Sequence, residues 1–350
     1  LFAARNETST PRRVAPRIAL ALAALLIPLA LTEGILSLLG VPRGEAVFVS
    51  RDEAGEPVRA DGSMVSDADV LWRFQPGTTF YGRRVNELGF LDREVAAEKT
   101  PGTRRVICLG DSCSAQGIPP YSGHLNALLR DKPPDDHAWE AFNAAVHGYT
   151  VLQGLGLYRA RISLLKPDVV TIYFGWNDHW LAKENDAERI ARAGSAWLTT
   201  LRNSFARKRL STLLSLKADE PEAKLELRVP EETYVKALSD LIAAVRASGA
   251  EPLVLTAPRA DTLHRQIVHG THAESVHEAI RLHDAYADLT RRVAREEAAG
   301  LLDLAALFAA PDRQKFFSKD GIHFKQAGLE QVAELIHAEL VAQTSKDWKN

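Results

Sequence analysis

Between residues 104 and 340 the chain alternates short apolar segments with helical ones, and this alternation limits the possible fold more than any other feature of the sequence. Most of the short segments are apolar or β-branched and are bounded by Gly, Asn or Pro, as buried parallel strands usually are. They span residues 105–109, 141–146, 168–174, 251–256 and 301–304. Apolar residues at helical spacing occupy residues 233–248, 283–299 and 328–340. The order of these segments predicts an α/β fold around a parallel sheet.

The composition excludes several classes of protein. With 350 residues, 46% hydrophobic and 25% charged, the chain is not disordered, collagen-like or a coiled coil. A net charge of -2 argues against a dedicated nucleic-acid-binding protein, whose affinity depends on an excess of basic residues. Cys108 and Cys113 are too few for a disulfide framework or a complete zinc site. Histidines crowd residues 264–283, but we interpret them as a solvated loop and helix face and expect no metal site there.

The N-terminus indicates attachment to a membrane. Residues 1–17 contain four arginines and one glutamate, and residues 18–40 are largely apolar and carry one charge, Glu33. A helix of that length can cross a hydrocarbon core of about 30 Å, and the positive flank predicts a cytoplasmic N-terminus. We therefore expect a signal anchor, with the bulk of the chain on the extracytoplasmic side, periplasmic or outer. The alternatives are a cleaved signal peptide and a buried helix of the main domain.

Residues 41–100 differ in composition from the α/β region. They are polar, with scattered Gly and Pro, and contain short strand-like pieces at 46–49 and 70–74. We interpret them as a stalk and an N-terminal extension that packs on the main domain. In chain order, the predicted organisation is a basic cytoplasmic stub (1–17), a transmembrane signal anchor (18–40), the stalk and extension (41–100) and the main domain (101–345).

Polar residues follow three of the predicted strands, at the carboxyl ends where parallel sheets form ligand sites. Ser112 comes directly after the first strand, and a serine that begins a helix has an exposed hydroxyl and a free backbone N–H. The tripeptide Gly110–Ser112 taken alone favours a simple turn. Gly148 and Asn177 follow the next two strands and can donate hydrogen bonds to an oxyanion. As alternatives, Gly148 is a turn glycine and Asn177 caps the following helix.

A base for Ser112 must come from elsewhere in the chain. Asp320 and His323 lie between the last predicted strand and the final helix. An acid three residues before a histidine can hold one ring nitrogen and leave the other facing a nucleophile. The same spacing also fits a loop acid and a surface histidine.

Together, these blocks resemble the SGNH, or GDSL, hydrolase superfamily over residues 104–340. The four blocks are Gly110–Ser112, Asn143–Tyr149, Gly175–Asp178 and Asp320–His323, and their order and spacing agree with those of the superfamily. Residues 86–92 also resemble a segment of membrane-anchored bacterial members. There are two departures: Cys113 follows the predicted nucleophile, and Phe324 follows His323 where proline is common. The resemblance implies a three-layer α/β/α sandwich with a flavodoxin-like parallel sheet.

The resemblance also implies a mechanism. Ser112 would be the nucleophile, His323 its base and Asp320 the acid that orients the base. The N–H groups of Ser112 and Gly148 and the amide of Asn177 would hold the oxyanion, and no metal or organic cofactor is implied. We expect a serine esterase or deacylase that acts on an O-acyl ester of a small molecule or glycan. The alternatives are an O-acyltransferase that modifies a cell-envelope or exported polysaccharide, and a non-catalytic binding module that kept the fold.

Two further features lie near the third block. Trp176, His179 and Trp180 either form a pocket wall or pack against the helix that follows. Residues 187–217 carry seven basic residues and one acidic residue in an amphipathic pattern. This stretch fits a helical insertion or, as a sharper hypothesis, a lid that lies against anionic headgroups.

Overall fold

The computed structural model describes residues 63–193, 225–265, 275–310 and 312–347, together with residues 24, 27, 28, 31, 50, 51, 57, 58 and 273. The chain divides into two units, and nearly all described residues belong to Ala46–Ser195 with Glu222–Asn350. The other unit, Leu1–Glu45 with Ala196–Pro221, contributes only residues 24, 27, 28 and 31.

Several sequence predictions fall outside the described residues. They are nearly all of the signal anchor at 18–40, the strand-like piece at 46–49, most of the basic stretch at 187–217, and His269 and His272. Among the helices that the structure describes, none combines the length and the apolar character that a membrane crossing requires.

The described residues form strands and helices that we number in chain order. The strands are β1 (Ser50–Arg51), β2 (Pro57–Val58), β3 (Met64–Asp67), β4 (Leu71–Phe74), β5 (Thr79–Phe80), β6 (Arg83–Arg84), β7 (Thr103–Gly110), β8 (Ala138–Asn143), β9 (Val169–Tyr173), β10 (Leu181–Ala182), β11 (Glu226–Leu227), β12 (Glu251–Leu255) and β13 (Gly300–Leu302). The helices are α1 (Ser112–Ala115), α2 (Tyr121–Asp131), α3 (Val151–Ala160), α4 (Asp186–Ala193), α5 (Glu231–Ala247), α6 (Val276–Glu296), α7 (Leu304–Leu307) and α8 (Gln326–Asp347). Residues 162–165 and 313–316 form short 3-10 turns.

Five of the strands form one parallel sheet in the order β13-β12-β9-β7-β8. Numbered within the sheet, this is the 2-1-3-4-5 order of flavodoxin-like folds, read from the β8 edge. Each strand overlaps one of the apolar segments identified from the sequence, so the predicted α/β fold around a parallel sheet is confirmed. The main difference among the helices is that α6 begins at Val276 and not near residue 283. Its start is set by Ser275, whose hydroxyl accepts a hydrogen bond from the Glu278 N–H at 3.1 Å.

Helices cover both faces of the sheet. Val106 and Cys108 of β7 belong to a core cluster with α2 and α8, whereas Ile107 and Leu109 belong to a second cluster with α3, α5 and α6. Alternate residues of a strand point to opposite faces, so both sets of side chains in β7 are buried. The result is a helix–sheet–helix arrangement of three layers.

The N-terminal extension packs on the α3 face of the sheet. Its buried apolar residues join the core on that side: Val70, Trp72, Phe74, Phe80, Val85, Phe90, Leu91 and Val95. The turn between β3 and β4 lies against Gly156 of α3, where an added Cβ would come within 2.7 Å of the Asp69 carbonyl oxygen. Gly156 therefore permits a close approach of two backbones.

Gly156→Ala tests this approach. Alanine is favoured over glycine inside a helix by about 1 kcal/mol, but the methyl group would force the hairpin away from α3. We expect a net loss of about 1–3 kcal/mol in the free energy of unfolding, measured by urea denaturation. Ala243→Gly, at an exposed position of α5, is the control that measures the helix-propensity effect alone. A Gly156→Ala protein that is more stable than the wild type would contradict the predicted contact.

Trp176, His179 and His283 form a buried cluster between the loop after β9 and helix α6. The Trp176 and His283 rings stack with their centroids 3.6 Å apart, and His179 Nε2 lies 3.3 Å from His283 Nδ1. His283 Nε2 lies 2.9 Å from the Ala257 carbonyl oxygen. Trp176 and His179 are therefore buried packing residues, but the helix that they contact is α6, later in the chain than the one that directly follows them. The solvated face predicted for the histidines is wrong for His283, which is 1% exposed.

This cluster predicts a loss of stability in mild acid. Burial lowers the pKa of His283 to about 3 and holds the pKa of His179 well below its usual range. Both side chains are neutral in the folded protein but take up protons near pH 6.5 when it unfolds. Their contribution to stability is therefore complete above about pH 6.5. It declines as the pH falls towards the folded-state pKa, by up to about 1.4 kcal/mol per pH unit for each histidine.

His283→Gln should make this decline less steep. We expect the difference in free energy of unfolding between wild type and variant to shrink from about pH 7 to about pH 4.5 in urea denaturation experiments. The matched control is His277→Gln, on the exposed face of the same helix. Parallel pH profiles for wild type and His283→Gln would show that His283 does not titrate in this way.

Candidate active site

The loops that follow β7, β8 and β9 meet at one edge of the sheet. Gly110, the last residue of β7, pairs with Tyr173 of β9, and its carbonyl oxygen accepts a hydrogen bond from the Val146 N–H at 3.1 Å. From β7 the chain continues to β8 on one side of the sheet, whereas from β9 it continues to β12 on the other side. Because the two connections run in opposite directions, a crevice opens between β7 and β9 at the carboxyl ends of the strands, the usual ligand site of such sheets.

Ser112 lies at this edge as the first residue of α1. The Asp111 side chain caps the helix by accepting a hydrogen bond from the Cys113 N–H at 2.9 Å. The Ser112 N–H has no acceptor within the described residues, as is usual in the first turn of a helix. Ser112 Oγ lies 2.9 Å from His323 Nε2.

Asp320 holds the other side of the His323 ring. Its Oδ2 atom lies 2.7 Å from His323 Nδ1, and its Oδ1 atom accepts hydrogen bonds from Ser318 Oγ at 2.6 Å and from the Ile322 N–H at 2.8 Å. Burial by itself raises the pKa of Asp320. The hydrogen bond and charge of His323, with the other donors, outweigh burial and hold that pKa well below its usual range. An ionised Asp320 favours the tautomer that carries its proton on Nδ1, which leaves Nε2 free to accept a proton from Ser112.

Gly148 lies in a turn, residues 147–149, in which each backbone carbonyl accepts a hydrogen bond from a side chain. Its φ of +79° is in the left-handed region that favours glycine. The carbonyl oxygens of residues 147–149 accept hydrogen bonds from Trp72 Nε1 at 3.2 Å, Arg228 Nη1 at 2.9 Å and Asn177 Nδ2 at 3.0 Å, respectively. The Gly148 N–H, in contrast, has no acceptor in the described part of the chain.

Asn177 and the buried acids Asp111 and Asp178 link the loops around this turn. Asn177 Nδ2 also lies 3.2 Å from Asp111 Oδ2, next to the serine. Asp178 accepts hydrogen bonds from the Gly175 N–H at 2.9 Å and the Val151 N–H at 2.8 Å, and so joins the loop after β9 to the start of α3. Burial raises the pKa of Asp111 to about 6 and that of Asp178 to about 7.

A buried ion pair, Arg228 with Asp186, contacts the turn at residues 147–149 and the residue that follows it. Arg228 Nη2 lies 2.6 Å from Asp186 Oδ2, and Asp186 is fully buried. Asp186 Oδ2 also accepts a hydrogen bond from Thr150 Oγ1 at 3.1 Å, directly after the turn. Neither residue of this pair was identified from the sequence. They are 42 positions apart, and no local pattern marks them as partners.

The structure places all five of the predicted site residues at this edge. Ser112, His323 and Asp320 form one hydrogen-bonded chain, and Asn177 bonds to the turn that contains Gly148. Cys113 is 1% exposed, and burial raises the pKa of its thiol, which agrees with its interpretation as a small buried residue. A hydroxyl with an adjacent imidazole, an ionised acid behind it and unpaired N–H donors nearby can carry out nucleophilic acyl transfer.

Comparisons with known proteins identify the family. The model of the GDSL-like Lipase/Acylhydrolase family matches residues 108–331. No curated protein matches the chain. Similar solved structures include the lipase/acylhydrolase from Enterococcus faecalis, at 18% identity and a TM-score of 0.46, with 69% of this chain and 96% of that one covered. Another is Axe2, an acetylxylan esterase from Geobacillus stearothermophilus, at 16% identity and a TM-score of 0.44, with 68% and 94% covered.

The family match begins inside β7, covers the strands β8, β9, β12 and β13, and contains all four sequence blocks. It extends over well over half of the chain, and it confirms the resemblance of the four blocks to the GDSL hydrolases. The protein therefore belongs to the GDSL-like lipase/acylhydrolase family and is an ester-hydrolysing enzyme.

Proposed function

We propose that this protein is a serine esterase that removes the acyl group from an O-acyl ester of a small molecule or glycan. The observation that supports this proposal is the hydrogen-bonded chain from Ser112 Oγ through His323 to Asp320, with distances of 2.9 and 2.7 Å. Each link has the length of an ordinary hydrogen bond, so the hydroxyl, the base and the orienting acid need little rearrangement before reaction.

In the first half of the reaction, His323 Nε2 takes the Ser112 proton while Oγ attacks the ester carbonyl carbon. The tetrahedral intermediate then collapses, the bond to the alcohol oxygen breaks, and His323 gives its proton to the departing alcohol. In the second half, His323 takes a proton from water, whose oxygen attacks the acyl carbon. The bond from that carbon to Ser112 Oγ then breaks, His323 returns the proton to Oγ, and the acid leaves. Asp320 stays ionised throughout and stabilises the imidazolium.

The oxyanion is bound by donors that the turn and α1 hold in place. The Ser112 and Gly148 N–H groups have no acceptor within the described residues, so they are available to the carbonyl oxygen. Asn177 supplies the third donor. Of its two hydrogen bonds, the one to Asp111 is longer, at 3.2 Å against 3.0 Å to Tyr149, and we expect it to give way when substrate binds.

The role of Ser112 predicts the effect of Ser112→Ala. The full-length wild type should release p-nitrophenol from p-nitrophenyl acetate and react covalently with a fluorophosphonate probe. In Ser112→Ala we expect turnover to fall at least about 10³-fold and probe labelling to disappear, because no nucleophile is left. Ser163→Ala, in the 3-10 turn of residues 162–165, is the control and should behave as the wild type.

Retention of wild-type turnover in Ser112→Ala would remove this residue from its assigned role. A sugar acceptor added to the same assay distinguishes the two possible fates of the acyl-enzyme. Appearance of free acetate indicates hydrolysis, whereas an acetylated sugar indicates the transferase alternative.

The enzyme is proposed to act at a membrane, with its main domain on the extracytoplasmic side. The proposal is supported by the apolar stretch at 18–40 and by the four arginines that precede it. Burial of about 20 apolar residues in a bilayer resists extraction by salt or alkali, unlike a surface attachment through charge.

We therefore predict that the full chain stays in the membrane pellet after extraction with alkaline carbonate. A chain that lacks residues 1–40 should appear in the supernatant. Immunoblots of both fractions make the comparison. Release of the full chain by carbonate would argue against a spanning anchor, and accessibility to external protease in spheroplasts would test the predicted side.

A further inference from the structure

We propose that Trp72 is a positioning residue of the oxyanion hole, which fixes the peptide group whose N–H comes from Gly148. This inference rests on the esterase function proposed above. Trp72 lies in β4 of the N-terminal extension, 36 positions before the start of the family match at residue 108. The extension thus contributes to the reacting part of the molecule as well as to its core.

The peptide bond between His147 and Gly148 is the group that Trp72 holds. The carbonyl of His147 and the N–H of Gly148 belong to the same planar amide and point in opposite directions. Trp72 Nε1 donates to that carbonyl oxygen at 3.2 Å. The bond therefore sets the direction of the Gly148 N–H. It also strengthens this N–H as a donor, because hydrogen bonds on the two ends of one amide reinforce each other.

The two neighbouring hydrogen bonds act on other peptide groups. Arg228 bonds to the carbonyl of Gly148 and Asn177 to that of Tyr149, and these carbonyls belong to the next two amides along the chain. The His147 side chain does not hold the peptide either. Its buried Nδ1 atom has no hydrogen-bond partner among the residues that the structure describes, and its ring packs against Phe80 with centroids 4.9 Å apart. Within the described residues, Trp72 is thus the group that holds the amide of the oxyanion donor.

Trp72 is itself held rigidly, as a positioning residue must be. It is 3% exposed, and its carbonyl oxygen accepts a hydrogen bond from the Tyr149 hydroxyl at 2.5 Å. The two rings meet edge to face with centroids 5.8 Å apart. The guanidinium groups of Arg189 and Arg228 each lie 5.8 Å from the centre of the indole ring. Trp72 thus donates a hydrogen bond to the turn through its ring N–H and accepts one from the turn through its carbonyl oxygen.

The choice of variant follows from the network. Removal of Arg228 would take one arginine partner from the fully buried Asp186 and leave Arg189 as another, so it is expected to destabilise the whole site and not one peptide group. Trp72→Phe removes the N–H donor and keeps an aromatic ring. A second variant carries β-(3-benzothienyl)alanine at position 72, where sulfur replaces the N–H and the shape of the side chain is preserved. Trp139→Phe is the matched control, because Trp139 is also buried and its Nε1 donates to Asp135 at 2.7 Å, near the start of β8.

We expect both Trp72 variants to lower kcat for p-nitrophenyl acetate about tenfold while KM stays within about twofold. The loss is smaller than the roughly 10²–10³-fold that follows removal of an oxyanion donor itself, because the Gly148 N–H is still present. The rate of reaction with a fluorophosphonate should fall by a similar factor, since its phosphoryl oxygen occupies the same hole. Trp139→Phe should change the thermal midpoint as much as Trp72→Phe but leave kcat near the wild-type value.

Different outcomes distinguish a failure of the esterase proposal from a failure of the role given to Trp72. If the wild type shows no turnover that depends on Ser112, the esterase proposal fails and this inference fails with it. If the wild type is active but the benzothienyl variant keeps its kcat, or Trp72→Phe loses no more kcat than Trp139→Phe, then only the role of Trp72 is overturned. A larger KM with unchanged kcat would equally overturn it, because such a change indicates lost substrate binding and not a weaker oxyanion hole.

Discussion

The pairing of β7 with β9 is the constraint on which the rest of the structure depends. Hydrogen bonds along this pair bring Gly110 opposite Tyr173, so that two loops distant in sequence begin side by side. Ser112 follows one strand and Asn177 the other, and the crevice between them exists because the chain turns away from β7 and β9 in opposite directions. The final block reaches the same edge from the far end of the chain, and its His323 completes the contact with Ser112.

Three carboxyl groups in this small region have different environments. Asp320 accepts several hydrogen bonds and faces an imidazole, so its pKa is low and it remains an anion. Burial dominates at Asp111 and Asp178 and raises their pKa values to about 6 and about 7. The consequence is that Asp320 keeps its negative charge behind His323, where it stabilises an imidazolium, even in mild acid. Asp111 and Asp178 take up protons in mild acid, at a higher pH than Asp320 does.

The sequence indicated the sheet and the site for different reasons. Short runs of apolar and β-branched residues identify the strands, because a strand with both faces buried needs apolar side chains on both. The polar blocks stand out because they come directly after such runs. The support around Gly148 was not predictable. Trp72 lies in an ordinary strand-like segment, and nothing in its neighbours shows which carbonyl its ring will reach. In the sequence, Arg228 and Asp186 look like ordinary surface charges, and only the folded structure shows that both are buried. The early start of α6 was missed although the sequence carries its signals, since Ser275 offers an N-cap and Val276, Ala279 and Ile280 already have helical spacing.

The three hydrogen bonds on the turn at residues 147–149 have a consequence for protein engineering. Their donors lie at positions 72, 177 and 228, so any short contiguous graft from a relative separates the loop from at least one of its supports. Chimeras cut at the family boundary would keep the triad residues and the donors at 177 and 228, but they would lose the Trp72 donor to the peptide that carries the Gly148 N–H. Attempts to alter substrate range should leave this network intact. They can begin instead at exposed side chains beside it, such as Tyr81, whose ring packs on Phe80 next to His147.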